Sequence, residues 1–402
     1  MRLLELTCIS AVILGAISIF VFPVRNGTLR NGTIIGIVIL AILHFLFEGY
    51  RWQMVPCYIL GVLFTFLMYK KTVISWGKNI YILFLIIWIP LTLLLPIMFP
   101  VFNVMPPTGS YKTGTISYQL EHLNDLDELK LTIWYPTDES SGDIAPYFQN
   151  VEILKEEVSE KIPSLFFSYL SNIQSNSQKN VSVSLNKSAF SVIVFSPGIP
   201  GTSFMYTSLA EELASHGYIV VATDNISLEQ PKRTTWVKAQ QQAIDFLFEA
   251  NSKNQHLKGK MDLQRIGLLG YSSGGEAAFE VLPTDERVLS AVNMDGTHLP
   301  SLDQMTGKNK PFLYLQSDRD PIKTLMEYGG YVATIKGTKH KSFSDYYLYS
   351  PYFSIVDKVN YRKDFQIVST VVRHFFDRTL SGNEDTMFDQ GENPFPRLKF
   401  ND

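Results

Sequence analysis

One stretch limits what this chain can fold into more than any other: Arg265-Ile266-Gly267-Leu268-Leu269-Gly270-Tyr271-Ser272-Ser273-Gly274-Gly275-Glu276-Ala277-Ala278. It reads as a short buried strand, an abrupt turn, and a helix. Ile266 to Leu269 is apolar and brief, as a strand inside a parallel sheet has to be. The turn has the spacing G-x-S-x-G, with Gly270 and Gly274 around Ser272. A serine raised on so tight a turn has a strained backbone, and side chains two residues away on either side would collide. The same turn aims the N–H groups of the new helix at the serine, where they can hold a negative oxygen. Ser273 is out of frame, because Tyr271 and Gly275 flank it. The motif alone also occurs in ordinary Gly/Ser turns; the strand before it and the helix after it set this one apart.

The 402 residues suffice for two or more domains, and the net charge of −3 gives no electrostatic footprint for nucleic acid. Hydropathy is uneven. Residues 1–104 are dominated by Leu, Ile, Val and Phe, with apolar runs at roughly 4–22, 33–49, 54–69 and 79–102. A bilayer crossing needs about 20 such residues. The first and last runs meet this. The middle two count as spans when their ends, with Tyr50, Trp52 and Tyr69, lie at the interface. The expectation is therefore an N-terminal bundle of about four transmembrane helices, with two spans and a buried hairpin as the alternative. A cleaved leader after Arg2 is a further option.

Loops near 23–32 and 70–78 carry Arg25, Arg30, Lys70, Lys71 and Lys78, against Arg2, Arg51 and Lys112 on the other side. The positive-inside tendency places the former in the cytoplasm. A multi-pass protein of the cell membrane is expected, its soluble part facing outward. His44 and Glu48 sit in or at the end of the second run, near an interface. Cys8 and Cys57 both lie in the apolar runs, so the soluble part can form neither a disulfide nor a cysteine metal site.

The linker Met105-Pro106-Pro107-Thr108-Gly109 opens a second region, 105–380, and residues 381–402 read as a loosely ordered tail. Strands are expected at 113–120 and 129–135, as a hairpin at the sheet edge. Residues 150–175 carry an amphipathic helical pattern, which reads as a cover for the core or as a lid. Residues 171–188, rich in Ser and Asn, read as a surface loop. Beyond them strands at 190–195, 218–222, 266–269, 288–294, 311–316 and 331–335 alternate with helices at 203–215, 232–251 and 361–379. Such alternation implies a mostly parallel sheet covered on both faces, with chemistry outside the carboxyl ends of its strands.

A serine needs a base, and the base needs an orienting acid, in the chain order Ser, Asp or Glu, His. His298 comes too early and His374 lies inside the last helix. His340, in the loop after the last of these strands, is the candidate base. Asp295 ends one strand; Asp318 and Asp320 end the next. Each also suits a turn or a helix cap. The N–H groups of Ser273 and Ile199 are candidate oxyanion donors, with Gly198 and Gly201 letting backbone approach a substrate.

Three groups of residues resemble the plasma-type platelet-activating-factor acetylhydrolase family: "PPTGSYKTGT…LKLTIWYP", "VIVFSPGIPG…LASHGYIVVATDN" and "IGLLGYSSGGEAA…AVNMDGT…IKGTKHKSFSD". The resemblance covers roughly 106–378. It implies an α/β-hydrolase fold, no metal or other cofactor, and hydrolysis of short or oxidised acyl groups of phospholipids. It also implies Ser272 as nucleophile, Asp295 as acid, His340 as base, and Ile199 and Ser273 as oxyanion donors. Pro197-Gly198 departs from the family's frequent His-Gly. That Ser-Pro-Gly, "LASHGYIVVATDN" and "LEQP" are also similar to bacterial cutinases and polyester hydrolases, whose acid comes from the later strand and would fall on Asp320. The expected partners are an amphiphilic or lipid ester and the bilayer. Two other classes stay in view: a binding domain without turnover, and a transporter or sensor built from the spans.

Overall fold

The computed structural model describes residues 1–21, 27–70, 78–123, 126–148, 164–199, 202–224, 233–297, 310–320, 325, 330–383, 386–389 and 392–400. It separates into two compact units. One contains Met1–Asn103, Asn150–Ile173 and Tyr349–Tyr352; the other contains Val104–Gln149, Gln174–Leu348 and Phe353–Asp402.

The first unit has four apolar helices, α1 (Leu3–Val21), α2 (Gly27–Phe47), α3 (Val55–Lys70) and α4 (Lys78–Met98). Four spans were expected. Among the described residues two helical runs are long and apolar enough to cross a membrane, Trp52–Tyr69 and Asn79–Met98, while Leu3–Ser18 and Asn31–Phe47 are shorter. Polar groups pair between these helices. Glu48, at the end of α2, accepts from the N–H groups of Leu4 (2.8 Å) and Glu5 (3.1 Å), capping the first turn of α1. Glu5 in turn pairs with Arg2 (2.8 Å) and Arg51 (2.9 Å), and His44 Nδ1 lies 2.9 Å from the Tyr58 hydroxyl. Glu5, His44 and Arg51 are fully buried rather than at a surface. Both carboxylates are already taken by N–H donors.

The second unit is built on one sheet of eleven strands in the order β11-β10-β9-β8-β7-β5-β6-β2-β1-β4-β3. Their ranges are β1 Lys112–Leu123, β2 Leu126–Thr137, β3 Ile144–Pro146, β4 Gln174–Lys179, β5 Phe190–Ser196, β6 Tyr218–Asp224, β7 Met261–Tyr271, β8 Val288–Met294, β9 Phe312–Gln316, β10 Tyr331–Ile335 and β11 Leu398–Phe400. The block β6-β5-β7-β8-β9-β10 is parallel throughout.

These strands are runs of apolar residues because both faces are covered. Ile193, Phe195, Val220 and Leu269 face a core shared with Leu209, Leu213, Val368, Val372 and Phe376 of the helices Thr207–Ser215 and Tyr361–Thr379. Val192, Val194, Ile219 and Leu268 face the opposite core, with Ile244, Leu247, Ala278 and Phe279 of the helices Arg233–Lys253 and Ser273–Val281.

Four expectations need correction. The β1–β2 hairpin forms but is not at the edge, because β2 pairs with β6 and β1 with β4. Residues 174–179, expected in a loop, are strand β4. Its inward positions are serines: Ser177 is fully buried and donates to Glu211 Oε1 at 2.6 Å, so an apolar pattern could not reveal it. The tail contributes β11, antiparallel to β10 through Ala333↔Phe400, Thr334↔Lys399 and Ile335↔Leu398. The described part of the expected 150–175 helix, Ser164–Asn172, is 3-10 in type; 150–163 lie outside the described residues.

Candidate active site

Ser272 follows β7 directly, with φ 52° and ψ −123°. That left-handed backbone is costly for a residue with a Cβ. It is held by Ser272 N–H donating to the Met294 carbonyl at 2.9 Å, and by the first helical bond from Glu276 N–H to the Ser272 carbonyl at 3.0 Å. Packing dictates the flanking glycines. A Cβ on Gly270 would lie 2.1 Å from the Gly274 carbonyl oxygen, and one on Gly274 equally close to that of Ser196.

The loop after β5 is fixed on both sides. Trp236 Nε1–H donates to the Pro197 carbonyl at 2.8 Å. Buried Asp224, at the end of β6, accepts from the backbone and the hydroxyl of Ser203, and burial raises its pKa. Gly198 packs against Ser272: a Cβ there would lie 2.9 Å from that of the serine. Ile199, next in the chain, is 67% exposed. Ser273 is the first helical residue, so its N–H has no acceptor within the helix. Gly201 lies outside the described residues, as does His298.

Asp295 directly follows β8 and is only 1% exposed. Its backbone is also left-handed, at φ 62°. Its Oδ2 lies 2.5 Å from His340 Nδ1. Ser317 donates through its N–H to Oδ1 (2.7 Å) and through its hydroxyl to Oδ2 (3.1 Å). Arg319 Nη2 reaches Oδ1 at 2.8 Å.

His340 opens the 3-10 turn His340–Phe343 after β10. Its ring lies over that of Tyr271, with centroids 4.8 Å apart, and the Tyr271 hydroxyl donates to the His340 carbonyl at 3.0 Å. The histidine is thus clamped to the residue that precedes Ser272. Among the described residues no hydrogen bond joins Ser272 Oγ to the His340 ring. Arg397 braces the start of this loop, donating from Nε to the Lys336 carbonyl at 2.7 Å and accepting from Lys336 N–H at 2.8 Å.

The other candidate acids are placed differently. Asp318 accepts from Gly337 N–H (2.8 Å) and Lys336 Nζ (3.0 Å), and these contacts lower its pKa. Asp320 is exposed and makes no contact with His340. His374 lies in the helix Tyr361–Thr379 beside Arg373. Arg319, Ser317 and Tyr271 escaped the sequence reading. In Ser317-Asp318-Arg319-Asp320 the aspartates are the residues that suit an acid, and nothing local marks Ser317 or Arg319 as donors to one.

The solved structure of a ferulic acid esterase from Streptomyces cinnamoneus superposes with a TM-score of 0.60, covering 75% of this chain and 99% of that one at 22% identity. The fold is that of an α/β-hydrolase. Residues 167–311 match the family model described as Chlorophyllase. Cutinase 2 of Thermobifida cellulosilytica is 26% identical over 141 residues, 35% of this chain and 51% of that protein. Platelet-activating factor acetylhydrolase of Cavia porcellus is 22% identical over 298 residues, 59% of this chain and 68% of its own length. Both resemblances read from the sequence, to the acetylhydrolases and to the cutinases, are recovered. The chain spans 42–51% of the length of the first three cutinases it matches.

Proposed function

We propose that this chain is a membrane-anchored serine esterase. Ser272 Oγ attacks the carbonyl carbon of an ester while His340 Nε2 takes its proton. The N–H groups of Ser273 and Ile199 receive the oxyanion. The ester C–O bond then breaks, and the imidazolium returns the proton to the leaving alcohol. Water, deprotonated by the same imidazole, cleaves the acyl-serine and restores the free hydroxyl. Asp295 holds the Nδ1–H tautomer, leaving Nε2 free to accept.

The reading rests above all on one contact, the 2.5 Å approach of Asp295 Oδ2 to His340 Nδ1, beside a serine on a left-handed turn. Catalytic hydrogen bonds between nucleophile and base often tighten only when substrate is bound. The proposed substrates are short acyl esters of phospholipids. Similarity to an acetylhydrolase over 59% of the chain, and apolar helices that would keep the enzyme at a lipid surface, both support them. A second reading, a cutinase-like carboxylesterase, draws on the higher local identity to those enzymes, 30% over 112 residues for one from Thermobifida alba.

A fluorophosphonate probe should label the wild-type protein and not Ser272→Ala; equal labelling of both would remove the catalytic claim. Turnover of an acetylated phospholipid well above that of p-nitrophenyl butyrate favours the first substrate class, and the reverse order favours the second.

A further inference from the structure

Asp295 accepts from two directions that do different work. Oδ2 faces the base. Oδ1 faces Arg319, whose Nη2 is 2.8 Å away. The guanidinium is anchored in turn: Nη2 donates to the Tyr314 hydroxyl at 2.6 Å, and the group lies 6.0 Å from the centre of that ring. Tyr314 is fully buried in β9, so the arginine is tied to the sheet itself. Other charged or titratable groups near the pair are occupied elsewhere. Glu276 accepts from Thr297 N–H, Lys341 Nζ sits over the Tyr346 ring, and Asp318 pairs with Lys336. Lys339 flanks His340 in the chain, and Tyr271, its phenol kept neutral by burial, lies against the His340 ring at a tilt of 31°. Among the described residues Arg319 is the cation that meets the Asp295 carboxylate.

We propose that Arg319 is a positioning residue: it locks the second oxygen of Asp295 and neutralises that carboxylate's charge, so that His340 is already neutral, and able to accept a proton, at a lower pH. The inference rests on the esterase reading above. A bare Asp295 carboxylate would favour imidazolium and hold the base protonated to higher pH. A cation on its far oxygen opposes that. Removing the cation therefore leaves the imidazolium more strongly favoured. The rise in kcat/KM that follows deprotonation of the base then moves to higher pH.

The test measures kcat/KM for p-nitrophenyl butyrate from pH 5 to 9, on the full-length protein in detergent, for wild type, Arg319→Gln and Arg319→Lys. In Arg319→Gln the acid limb should move up by roughly half to one pH unit. The loss relative to wild type should be about three- to eightfold at pH 6 and clearly smaller at pH 9. Arg319→Lys keeps the charge and should return most of the limb towards its wild-type position. Placing Arg319→Gln on an Asp295→Asn background should move the limb no further.

An equal loss at every pH with an unmoved limb would make Arg319 merely structural and overturn the proposal, as would a limb that moves down. Should Arg319→Gln fail to fold, Arg319→Lys decides: a limb displaced as far as half a unit would count against the role of charge. A wild-type protein that neither binds the fluorophosphonate nor turns over the ester fails differently, and takes the esterase reading with it.

Discussion

A side-chain carbon on Gly274 would lie 2.1 Å from the carbonyl oxygen of Ser196, so the helix after Ser272 touches the end of β5 with nothing between. No rotamer relieves that clash, because both partners are backbone. Gly274→Ala should cost about 3 kcal/mol or more and lower the thermal midpoint by several degrees, with activity falling at least as far. Gly32→Ala is the control: a Cβ there meets nothing within 4 Å and should lower neither property. A Gly274→Ala protein as stable as wild type would contradict the packing described for this turn.

The two candidate acids separate cleanly by mutation. Asp295→Asn removes the acceptor for His340 Nδ1–H and should lower kcat by roughly 10³–10⁴-fold with little change in KM. Asp320 is exposed and away from the imidazole, so Asp320→Asn should stay within about threefold of wild type, in keeping with a surface change. Steady-state hydrolysis of a short-chain ester reads both, and the opposite ranking would transfer the acid to the later strand.

Stability should depend on pH through buried carboxyl groups of the second unit. Glu211 is fully buried, and desolvation raises its pKa to about 7 against the donors Ser177 and Asn176. Asp345, also buried, is raised to about 6 by the same cause. A folded pKa above the unfolded one favours the protonated form. That contribution is complete below the ordinary carboxylate range and is lost as pH climbs through about 7. The thermal midpoint should therefore be higher at pH 5 than at pH 8, and Glu211→Gln should shrink the difference. An unchanged difference in the variant would remove Glu211 as its source.

Membrane attachment is a separate claim with a separate measurement. Of the two long apolar runs among the described residues, Asn79–Met98 is the more apolar, with mean hydropathy 2.6. Expressed whole, the protein should stay with the membrane pellet after alkaline carbonate washing and leave it only with detergent. Release by carbonate alone would show a peripheral association and weaken the case for a lipid substrate.

What could be read before any coordinates was what burial writes into sequence. β5, β6 and β8 are runs of apolar residues because both faces of the sheet are covered, and Gly270 and Gly274 announce Ser272 because no larger residue fits beside it. Pairing partners were harder. Nothing local in 113–120 or 129–135 says that β2 will dock on β6 and draw the hairpin inward. β4 was invisible for a chemical reason: it buries hydroxyls against Glu211, and a buried serine looks the same in a sequence as an exposed one. Arg319 was hidden likewise, since a cation in a loop becomes meaningful only when a carboxylate from another strand arrives beside it.

The brace at Arg397 has a consequence for how activity is acquired. The loop that presents His340 leaves β10 through Lys336, and two bonds tie that residue to Arg397, whose Nη1 also reaches Asp364 at 2.7 Å. The candidate base is therefore moored by a segment that follows it in the chain and lies just ahead of β11. A protein shortened before residue 393 should still assemble its parallel strands, yet carry an imidazole that wanders. Its signature would be near-normal circular dichroism with sluggish fluorophosphonate labelling, and brisk labelling of the shortened form would show that the mooring is dispensable.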